Sequence, residues 1–485
     1  MKYNRVQNFI NGKFVEVPTS RVIPVVSPLD GNLLSEVPCS SAKELDDAVR
    51  AAKMAFATWS RTPIKERVQV FFRYKYLLEK NIDELAALCT EENGKTIGES
   101  VAEIEKCIEL TEFACSLPQL VGGEVLEVSR GVECRTEHVP LGVVASIVPF
   151  NFPAMVPNWT LPNAIALGNC MIIKPSEKVP LCMQKLAVLL KEAGLPDGVL
   201  NIVNGDSEIV NAICAHPGIE AVSFVGSTKV AKIVYQNATH NYKRCLALGG
   251  AKNHLMVLPD ARPDMTAQNV AASMSGCAGQ RCMAASAMVA VGNTDHIIAK
   301  ICDEARKIIP GKNLGAVISQ EAKVRIEGYI TQAEKQGAKI LVDGRNATVV
   351  GKEKGSYVGP TVIDYVTPDM SVATEEIFGP VISIIRTDTV DEALAIENAN
   401  PYGNAASVFT QNGGMARYIA DKSSAGMIGV NVGVPVPREP FSFGGWNDSK
   451  FGVGDITGKS SIEFWTKLKK STTKWNPEAG VNWMS

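Results

Sequence analysis

The segment 276–283, with the sequence GCAGQRCM, carries the residue types best suited to covalent catalysis. Its small residues allow a substrate to approach closely, and it contains two thiols, Cys277 and Cys282. Arg281 adds positive potential, which predicts a lowered pKa for a neighbouring thiol. A thiolate of this kind attacks a carbonyl carbon and forms a covalent intermediate.

Other roles for the two cysteines stay open at this point. A zinc site is disfavoured because the thiols stand five positions apart and no histidine lies in a suitable register. A cysteine protease needs a histidine partner, and none of the five histidines lies in a motif that nominates it. A buried cysteine is usually an inert packing residue, although the small, cationic loop favours a reactive one.

An asparagine stands between two prolines directly after an apolar run. The run covers 142–149 and the motif PFNFP covers 149–153. Fixed in this way, the Asn151 amide can donate a hydrogen bond to a developing oxyanion. A turn asparagine that satisfies the local backbone is the alternative.

Two further motifs suggest a dinucleotide site, although the usual GxGxxG fingerprint is absent. In FVGST, 224–228, Gly226 and Ser227 stand where a buried strand gives way to a helix, whose N-terminal N–H groups can bind a diphosphate. In KPSE, 174–177, Glu177 can accept both ribose hydroxyls and would repel a 2′-phosphate, which favours NAD over NADP. An ordinary strand-to-helix turn is the alternative for 224–228, and 174–177 taken alone is not specific for a dinucleotide.

Buried strands and helices must position these motifs. Apolar runs that predict strands buried on both faces alternate with helical patterns; the runs cover 142–149, 170–173, 199–203 and 221–225, and the helices about 177–194, 206–215 and 228–238. This alternation predicts a doubly wound α/β domain, and 246–430 shows a second α/β series.

The flanking segments have a different character. Residues 8–38 predict short strands, and a capping box at 41–44 predicts the start of a helix, followed by helices at 64–92 and 95–118. Two period-2 runs around a glycine predict a β-hairpin within 122–139. The tail, 431–485, is rich in Pro and Gly at first and then strand-like at Ile462, Phe464, Trp465 and Leu468.

Composition excludes several classes of protein. The 485 residues, 46% hydrophobic and 21% charged, predict a globular protein of two to four domains. A net charge of −2 argues against nucleic acid or an anionic membrane as a partner. The one basic cluster, at Lys467, Lys469, Lys470 and Lys474, predicts a solvated face. The 12 cysteines are scattered, and neither a signal peptide nor a long apolar run is visible, so we expect reduced thiols, a cytoplasmic location and no membrane span.

Taken together, the motifs resemble the aldehyde dehydrogenase superfamily over nearly the whole chain. Segment 150–153 resembles its oxyanion motif, 174–177 and 224–228 its two cofactor motifs, 279–282 its nucleophile loop, and EEIFGPV at 375–381 a further signature. The resemblance selects Cys282 over Cys277 as the nucleophile and implies that Asn151 stabilises the oxyanion. It also implies a cofactor set in which Glu376 holds the nicotinamide ribose and Phe378 packs near the ring; the other members are Phe150, Lys174, Glu177, Gly226, Ser227 and Gly249.

One departure from the superfamily pattern is informative. The general-base motif reads ELGG in the superfamily, whereas 247–250 reads ALGG, so Ala247 replaces the glutamate that activates water. A general base typically contributes on the order of a hundred- to ten-thousand-fold, so hydrolysis of a thioester should be slow. A thiol such as coenzyme A is a better nucleophile and needs less help.

This departure is typical of the coenzyme A-acylating methylmalonate semialdehyde dehydrogenase branch. Segments 149–155, 250–254, 280–284 and 431–437 also resemble that branch. The resemblance implies that Arg281 binds the substrate carboxylate. It implies a second arginine where Lys106 stands, and a lysine keeps the charge but loses the bidentate fork.

The resemblance implies a three-part architecture and a function. We expect a Rossmann-type NAD-binding domain (1–120 and 140–246), an α/β catalytic domain (247–430), and an oligomerisation arm (121–139) with the tail (431–485), in a homodimer or homotetramer without a metal. The expected reaction is NAD-dependent oxidation of malonate or methylmalonate semialdehyde, with decarboxylation and acyl transfer to coenzyme A. Two alternatives stay open: a hydrolytic semialdehyde dehydrogenase that releases a free acid, and a non-catalytic NAD-binding protein.

Overall fold

Two largely parallel sheets with covering helices form the body of the molecule, and the computed structural model describes residues 1–475. The first half of the chain contains, in order, β1 (Asn8–Ile10), β2 (Lys13–Val15), β3 (Val22–Val26), β4 (Leu33–Pro38), α1 (Ala42–Trp59), α2 (Ile64–Lys80), α3 (Ile82–Asn93), α4 (Ile97–Leu120), β5 (Val125–Ser129), β6 (Val132–Pro140), β7 (Val143–Ile147), α5 (Met155–Ala166), β8 (Cys170–Lys174), α6 (Leu181–Glu192), β9 (Leu200–Ile202), α7 (Ser207–Ala215), β10 (Ala221–Val225), α8 (Thr228–His240) and β11 (Arg244–Leu248).

The second half continues the alternation and ends in the tail. It contains β12 (Asn253–Val257), α9 (Pro263–Ser275), a 3-10 turn (Gly276–Gly279), β13 (Ala285–Val291), α10 (Asp295–Arg306), α11 (Gln320–Lys335), β14 (Lys339–Val342), β15 (Thr361–Asp364), α12 (Ser371–Thr374), β16 (Val381–Thr387), α13 (Val390–Ala399), β17 (Tyr402–Gly403), β18 (Ala405–Phe409), α14 (Gly413–Lys422), β19 (Met427–Val430), β20 (Trp446–Asn447), β21 (Lys450–Phe451), α15 (Ser460–Trp465) and β22 (Thr466–Lys474).

The first sheet has the order β2-β1-β9-β8-β7-β10-β11-β21. Its five central strands, β9-β8-β7-β10-β11, are parallel, and every residue of β7 and β8 is buried. The chain winds outward from β7 in one direction and resumes on its other side at β10, which is the doubly wound arrangement that the sequence predicted. Ligands in such sheets bind beyond the carboxyl ends of the strands at this reversal point.

The second sheet has the order β14-β15-β16-β13-β12-β18-β19 and is parallel except for β14. Its central strands, β12 and β13, pair in parallel, with β16 and β18 on the outer sides of the pair. The predicted α/β fold with two α/β series is therefore confirmed. The exact domain boundaries stay a prediction. The tail is not confined to the arm, since its strand β21 pairs with β11 of the first sheet.

A separate three-stranded sheet, in the order β22-β6-β5, projects from the body as an arm. The predicted hairpin is confirmed as β5 and β6, and β22 pairs antiparallel with the whole of β6. The four clustered lysines lie exposed on β22, which confirms the predicted solvated face.

Two details differ from the sequence predictions. The predicted helix at 64–92 is two helices, because Asn81 ends α2 by donating its side-chain amide to the carbonyl oxygen of Leu77 at 2.7 Å. Ile462, Phe464 and Trp465 lie in α15 and not in a strand. This helix has only six residues, too few to establish a helical period, and apolar residues two positions apart imitate a strand. The last part of the predicted tail, 476–485, lies outside the described residues.

No helix within residues 1–475 is long and apolar enough to cross a membrane. Within the same range, no group of three or more His, Cys, Asp or Glu side chains is arranged to hold a metal ion.

A buried ion pair joins the helical layer to the loop after β7. Lys95 and Glu103 pair with side chains only 1% and 0% exposed. The other carboxylate oxygen of Glu103 accepts hydrogen bonds from the backbone N–H groups of Ala154 (2.8 Å) and Met155 (3.0 Å), at the start of α5. A single carboxylate therefore neutralises a buried cation and fixes the helix that follows Asn151.

We expect Glu103→Gln to lower the free energy of unfolding by about 3–5 kcal/mol, because it leaves the buried Lys95 ammonium without a counter-charge. Thermal unfolding measures the loss. Glu105→Gln, two residues away on the exposed side of α4, is the matched control and should leave the transition nearly unchanged. Equal, small effects of both substitutions would contradict the assignment of Glu103 as the anchor.

Candidate active site

The twelve residues predicted to bind the cofactor, bind the substrate or act in catalysis all line one cleft of about 1250 Å³. They are Lys106, Phe150, Asn151, Lys174, Glu177, Gly226, Ser227, Gly249, Arg281, Cys282, Glu376 and Phe378. Their roles stay predictions, but the structure brings every one of them to the same place.

The two sheets explain this convergence. Asn151, Lys174 and Gly226 lie at or just beyond the carboxyl ends of β7, β8 and β10, which share one edge of the first sheet. Cys282 lies just before β13, at the amino edge of the second sheet. The cleft is therefore the crevice between the carboxyl edge of one sheet and the amino edge of the other.

The cysteine loop contains a strained turn. Cys277 and Ala278 both have φ of 53°, and Gly279 has φ of 71°, so three successive residues adopt the left-handed region that side chains disfavour. Only glycine fits at 279, because a Cβ there would lie 2.0 Å from the carbonyl oxygen of Gly379. The Glu99 carboxylate on α4 accepts the Cys277 N–H at 2.5 Å and holds the turn.

Two asparagines fix the backbone of Cys282. The side-chain amides of Asn253 and Asn404 donate to the Cys282 carbonyl oxygen at 2.7 and 2.8 Å. Asn253 also donates to the carbonyl oxygen of Ala284 at 3.0 Å. Sequence reasoning missed both asparagines as site residues. Asn253 lies in the segment 250–254, which resembles the methylmalonate semialdehyde dehydrogenase branch, whereas no local motif includes Asn404.

The thiol of Cys282 is not activated in this environment. Burial raises its pKa to about 12, and the Glu376 carboxylate adds to the rise. Arg281 and nearby backbone N–H groups lower the pKa by less. The predicted lowering of the pKa by Arg281 is confirmed, but burial outweighs it, so the net pKa of the thiol is raised. Arg281 is partly engaged elsewhere, since it donates to the carbonyl oxygens of Ala272 (2.9 Å) and Ser273 (3.0 Å).

Asn151 is held rigidly beside the cysteine loop. Its side-chain amide donates to the carbonyl oxygen of Gln280 at 2.9 Å, and the side chain is buried. The preceding carbonyl, of Phe150, accepts from Asn93 at 2.8 Å. One of the two amide hydrogens of Asn151 is thus used to link the two sheets, and the other is left for a ligand.

The edge of the first sheet carries an ion pair and an open helix terminus. Lys174 donates to Glu177 at 3.0 Å. Burial acts to raise the pKa of Glu177, but the charge of Lys174 and backbone hydrogen bonds outweigh it and hold the pKa below its usual value. Ser227 precedes α8 in extended conformation, and its side chain makes no capping hydrogen bond to described residues.

Glu376 reaches the cleft from the second sheet. It accepts the Ala251 N–H at 3.0 Å, and burial raises its pKa to about 7. Burial likewise lowers the pKa of Lys252 to about 7, against the attraction of Glu376 and Glu375. The ring of Phe378 packs edge-on against that of Phe150, with centroids 5.9 Å apart, so the two sheets meet through aromatic contact as well.

Lys106 lines the cleft but is already paired. Its ammonium donates to Glu439 at 2.7 Å and lies 3.2 Å from Glu109. The predicted substrate cation therefore faces two carboxylates before any ligand arrives, which no sequence motif indicated.

A comparison with known protein families agrees with the fold and the cleft. The model of the aldehyde dehydrogenase family matches residues 14–471. The chain belongs to the aldehyde dehydrogenase family.

Individual relatives are similar over the full length. Malonate-semialdehyde dehydrogenase 2 of Geobacillus kaustophilus (strain HTA426) is 44% identical over 478 residues, covering 97% of this chain and 99% of the relative. The crystal structure of methylmalonate-semialdehyde dehydrogenase from Oceanimonas doudoroffii is 43% identical with a TM-score of 0.96, covering 99% of each chain. A structure assigned as methylmalonate-semialdehyde dehydrogenase from Sinorhizobium meliloti 1021, complexed with NAD, is 40% identical with a TM-score of 0.96 and covers 99% of each chain.

The raised pKa of Cys282 predicts how its alkylation depends on pH. Because only the thiolate reacts, the rate of iodoacetamide labelling in the protein without ligand should rise about tenfold per pH unit between about pH 7 and 9, with no plateau. Peptide mass spectrometry separates Cys282 from the other thiols. Glu376→Gln removes one cause of the shift and should increase the rate at each pH, whereas a plateau near pH 8 would contradict the raised pKa.

Proposed function

We propose that this protein oxidises malonate or methylmalonate semialdehyde with NAD, forms a thioester on Cys282 and transfers the acyl group to coenzyme A. The substrate carboxylate leaves as carbon dioxide, so the products are acetyl- or propionyl-coenzyme A. The observation that carries the proposal is the convergence, in one cleft, of a thiol, a fixed amide and a strand-to-helix crevice. The names of the similar proteins support the same substrate class.

The first-sheet edge of the cleft has the chemistry that NAD requires. The first N–H groups of α8, after Ser227, suit a diphosphate. Gly249 and Gly250 line the cleft, and a Cβ on Gly250 would lie 2.5 Å from the Glu376 carboxylate, so only glycine leaves this space free. The ionised Glu177 suits the hydroxyls of a ribose and would repel a 2′-phosphate. Bound here, NAD supplies the hydride acceptor.

The other end of the cofactor cleft suits the nicotinamide riboside. Glu376 offers carboxylate oxygens to ribose hydroxyls, and Phe378 with Phe150 forms an aromatic wall. The positive charge of a bound nicotinamide would offset the burial that raises the pKa of Cys282, since a nearby cation favours the thiolate. The nucleophile would thus become reactive when the cofactor is present.

The chemistry at Cys282 follows from these positions. The sulfur bonds to the aldehyde carbon, and the carbonyl oxygen takes up negative charge. The free amide hydrogen of Asn151 and the backbone N–H of Cys282 stabilise that oxyanion. When the carbonyl re-forms, the carbon loses its hydrogen with the electron pair, and an acyl thioester remains on the sulfur. Loss of carbon dioxide from the β-carboxylate leaves a carbanion, which takes up a proton to give the acetyl or propionyl thioester. The thiol of coenzyme A then loses its proton, bonds to the acyl carbon and displaces the Cys282 thiolate.

The residue at position 247 supports a thiol as the acyl acceptor. Ala247 is fully buried in β11 and offers no carboxylate. Water attack on the thioester loses the help of a general base, whereas the thiol of coenzyme A is the stronger nucleophile. For the substrate end, we propose that Arg281 and Lys106 attract the carboxylate, since both line the cleft.

We further propose that the arm makes the protein a homodimer or homotetramer. Its sheet exposes apolar side chains at Val125, Leu126, Val128 and Leu468. An exposed apolar group of this kind on a projecting sheet is typical of a protein–protein contact.

Cys282→Ala should reduce NADH formation at least about a thousandfold, because no covalent intermediate forms. Binding of NAD, followed by calorimetry, should persist. Cys277→Ala is the matched control, since it removes the other thiol of the same loop and alanine already occupies the same backbone conformation at 278. Equal activity losses in both variants would contradict the assignment of Cys282.

Coenzyme A should increase steady-state NADH formation from malonate semialdehyde by about a hundredfold or more, because deacylation by unassisted water is slow. Absorbance of NADH gives the rate, and mass spectrometry should identify acetyl-coenzyme A as the product. A rate that is independent of coenzyme A, with a free acid as the product, would mean that the enzyme is hydrolytic.

A further inference from the structure

A buried carboxylate already pairs with Lys106, the cation that the substrate carboxylate would need. Glu439, in the segment after β19, lines the same cleft as Cys282. Its side chain is only 7% exposed, and it accepts a hydrogen bond from Lys106 at 2.7 Å. A buried carboxylate is costly unless it is paired, so Glu439 depends on this ammonium.

The charge balance around Lys106 is unfavourable for a second anion. Glu109, one turn along α4, lies 3.2 Å from the same ammonium. One positive charge therefore already faces two negative charges, and a substrate carboxylate that approached this intact cluster would be repelled. The substrate carboxylate can use Lys106 only if Glu439 withdraws.

The surroundings give Glu439 a route out. Both of its neighbours in the chain, Arg438 and Pro440, are exposed. A small movement of this segment would bring the carboxylate into water, where its charge would be solvated beside the guanidinium of the neighbouring Arg438. One carboxylate then replaces another on Lys106, and the charge balance of the cleft is kept.

We propose that Glu439 is a specificity-determining residue that occupies Lys106 in place of the substrate carboxylate and must exchange with it when the substrate binds. The inference rests on the proposed function and names how this chain selects the carboxylated substrate. Glu439 shields Lys106 from anions in solution. The affinity for the semialdehyde then depends on how much more strongly Lys106 binds the substrate carboxylate than it binds Glu439.

The test compares two three-carbon aldehydes that differ in the carboxylate, malonate semialdehyde and propanal. The readout is the ratio of their kcat/KM values with NAD and coenzyme A. Glu439→Gln keeps the size of the side chain but no longer competes for Lys106 as an anion, so the ratio should rise about tenfold, mainly through a lower KM for the semialdehyde. Adding Lys106→Met to this variant should remove the gain.

Glu109→Gln is the matched control, because it removes the other carboxylate near Lys106 from a more exposed position, 36% against 7% for Glu439. Its effect on the ratio should be clearly smaller. Glu439→Asp, which shortens the reach to Lys106, should raise the ratio by a lesser amount and serves if the Gln variant does not fold.

The outcomes separate the two proposals. A ratio that stays at the wild-type value or falls, in a Glu439 variant that still oxidises propanal, overturns the exchange at Lys106. A wild-type protein that oxidises propanal but not the semialdehyde overturns the proposed substrate itself.

Discussion

The hydrogen bonds that fix the loop at 276–284 between the two sheets are the constraint on which the site depends. Asn253 and Asn404, from the second sheet, hold the carbonyl of Cys282. Asn151, from the first sheet, holds the carbonyl of Gln280. The loop is thus connected to both edges of the cleft, and a movement of either sheet would shift the thiol relative to the amide beside it. The strained turn within the loop persists because these contacts and Glu99 over-determine it.

Burial of its ionisable groups gives the site its electrostatic character. Burial is the main cause of the raised pKa values of Cys282 and Glu376 and of the lowered pKa of Lys252. All three shifts disfavour the charged form, so the cleft without ligands resists the separation of charge. We infer that ligands change this balance: a nicotinamide cation favours the thiolate, and the substrate carboxylate takes the place of Glu439 on Lys106.

Much of this organisation could be predicted from the sequence, because the parallel strands are continuous apolar runs and the chemical motifs stand at their ends. The rule that ligands bind beyond the carboxyl ends of parallel strands was enough to bring Asn151, Lys174 and Gly226 together. The remaining features depend on contacts between residues far apart in the chain. Glu439 meets Lys106 across 333 positions. The net rise in the pKa of Cys282 reflects burial and the charge of Glu376, whereas the sequence shows only the neighbouring Arg281.

The most direct test of the central claim is to look for an acyl group on Cys282. The protein is incubated with NAD and malonate semialdehyde without coenzyme A, and the reaction is quenched in acid. After digestion, the mass of the peptide that contains Cys282 is measured by mass spectrometry. We expect a thioester-bound acetyl or malonyl group to accumulate on that peptide and to be released as acetyl-coenzyme A when coenzyme A is added before the quench. Continuous release of a free acid, with Cys282 found unmodified throughout, would contradict both the slow hydrolysis attributed to Ala247 and the proposed acyl transfer.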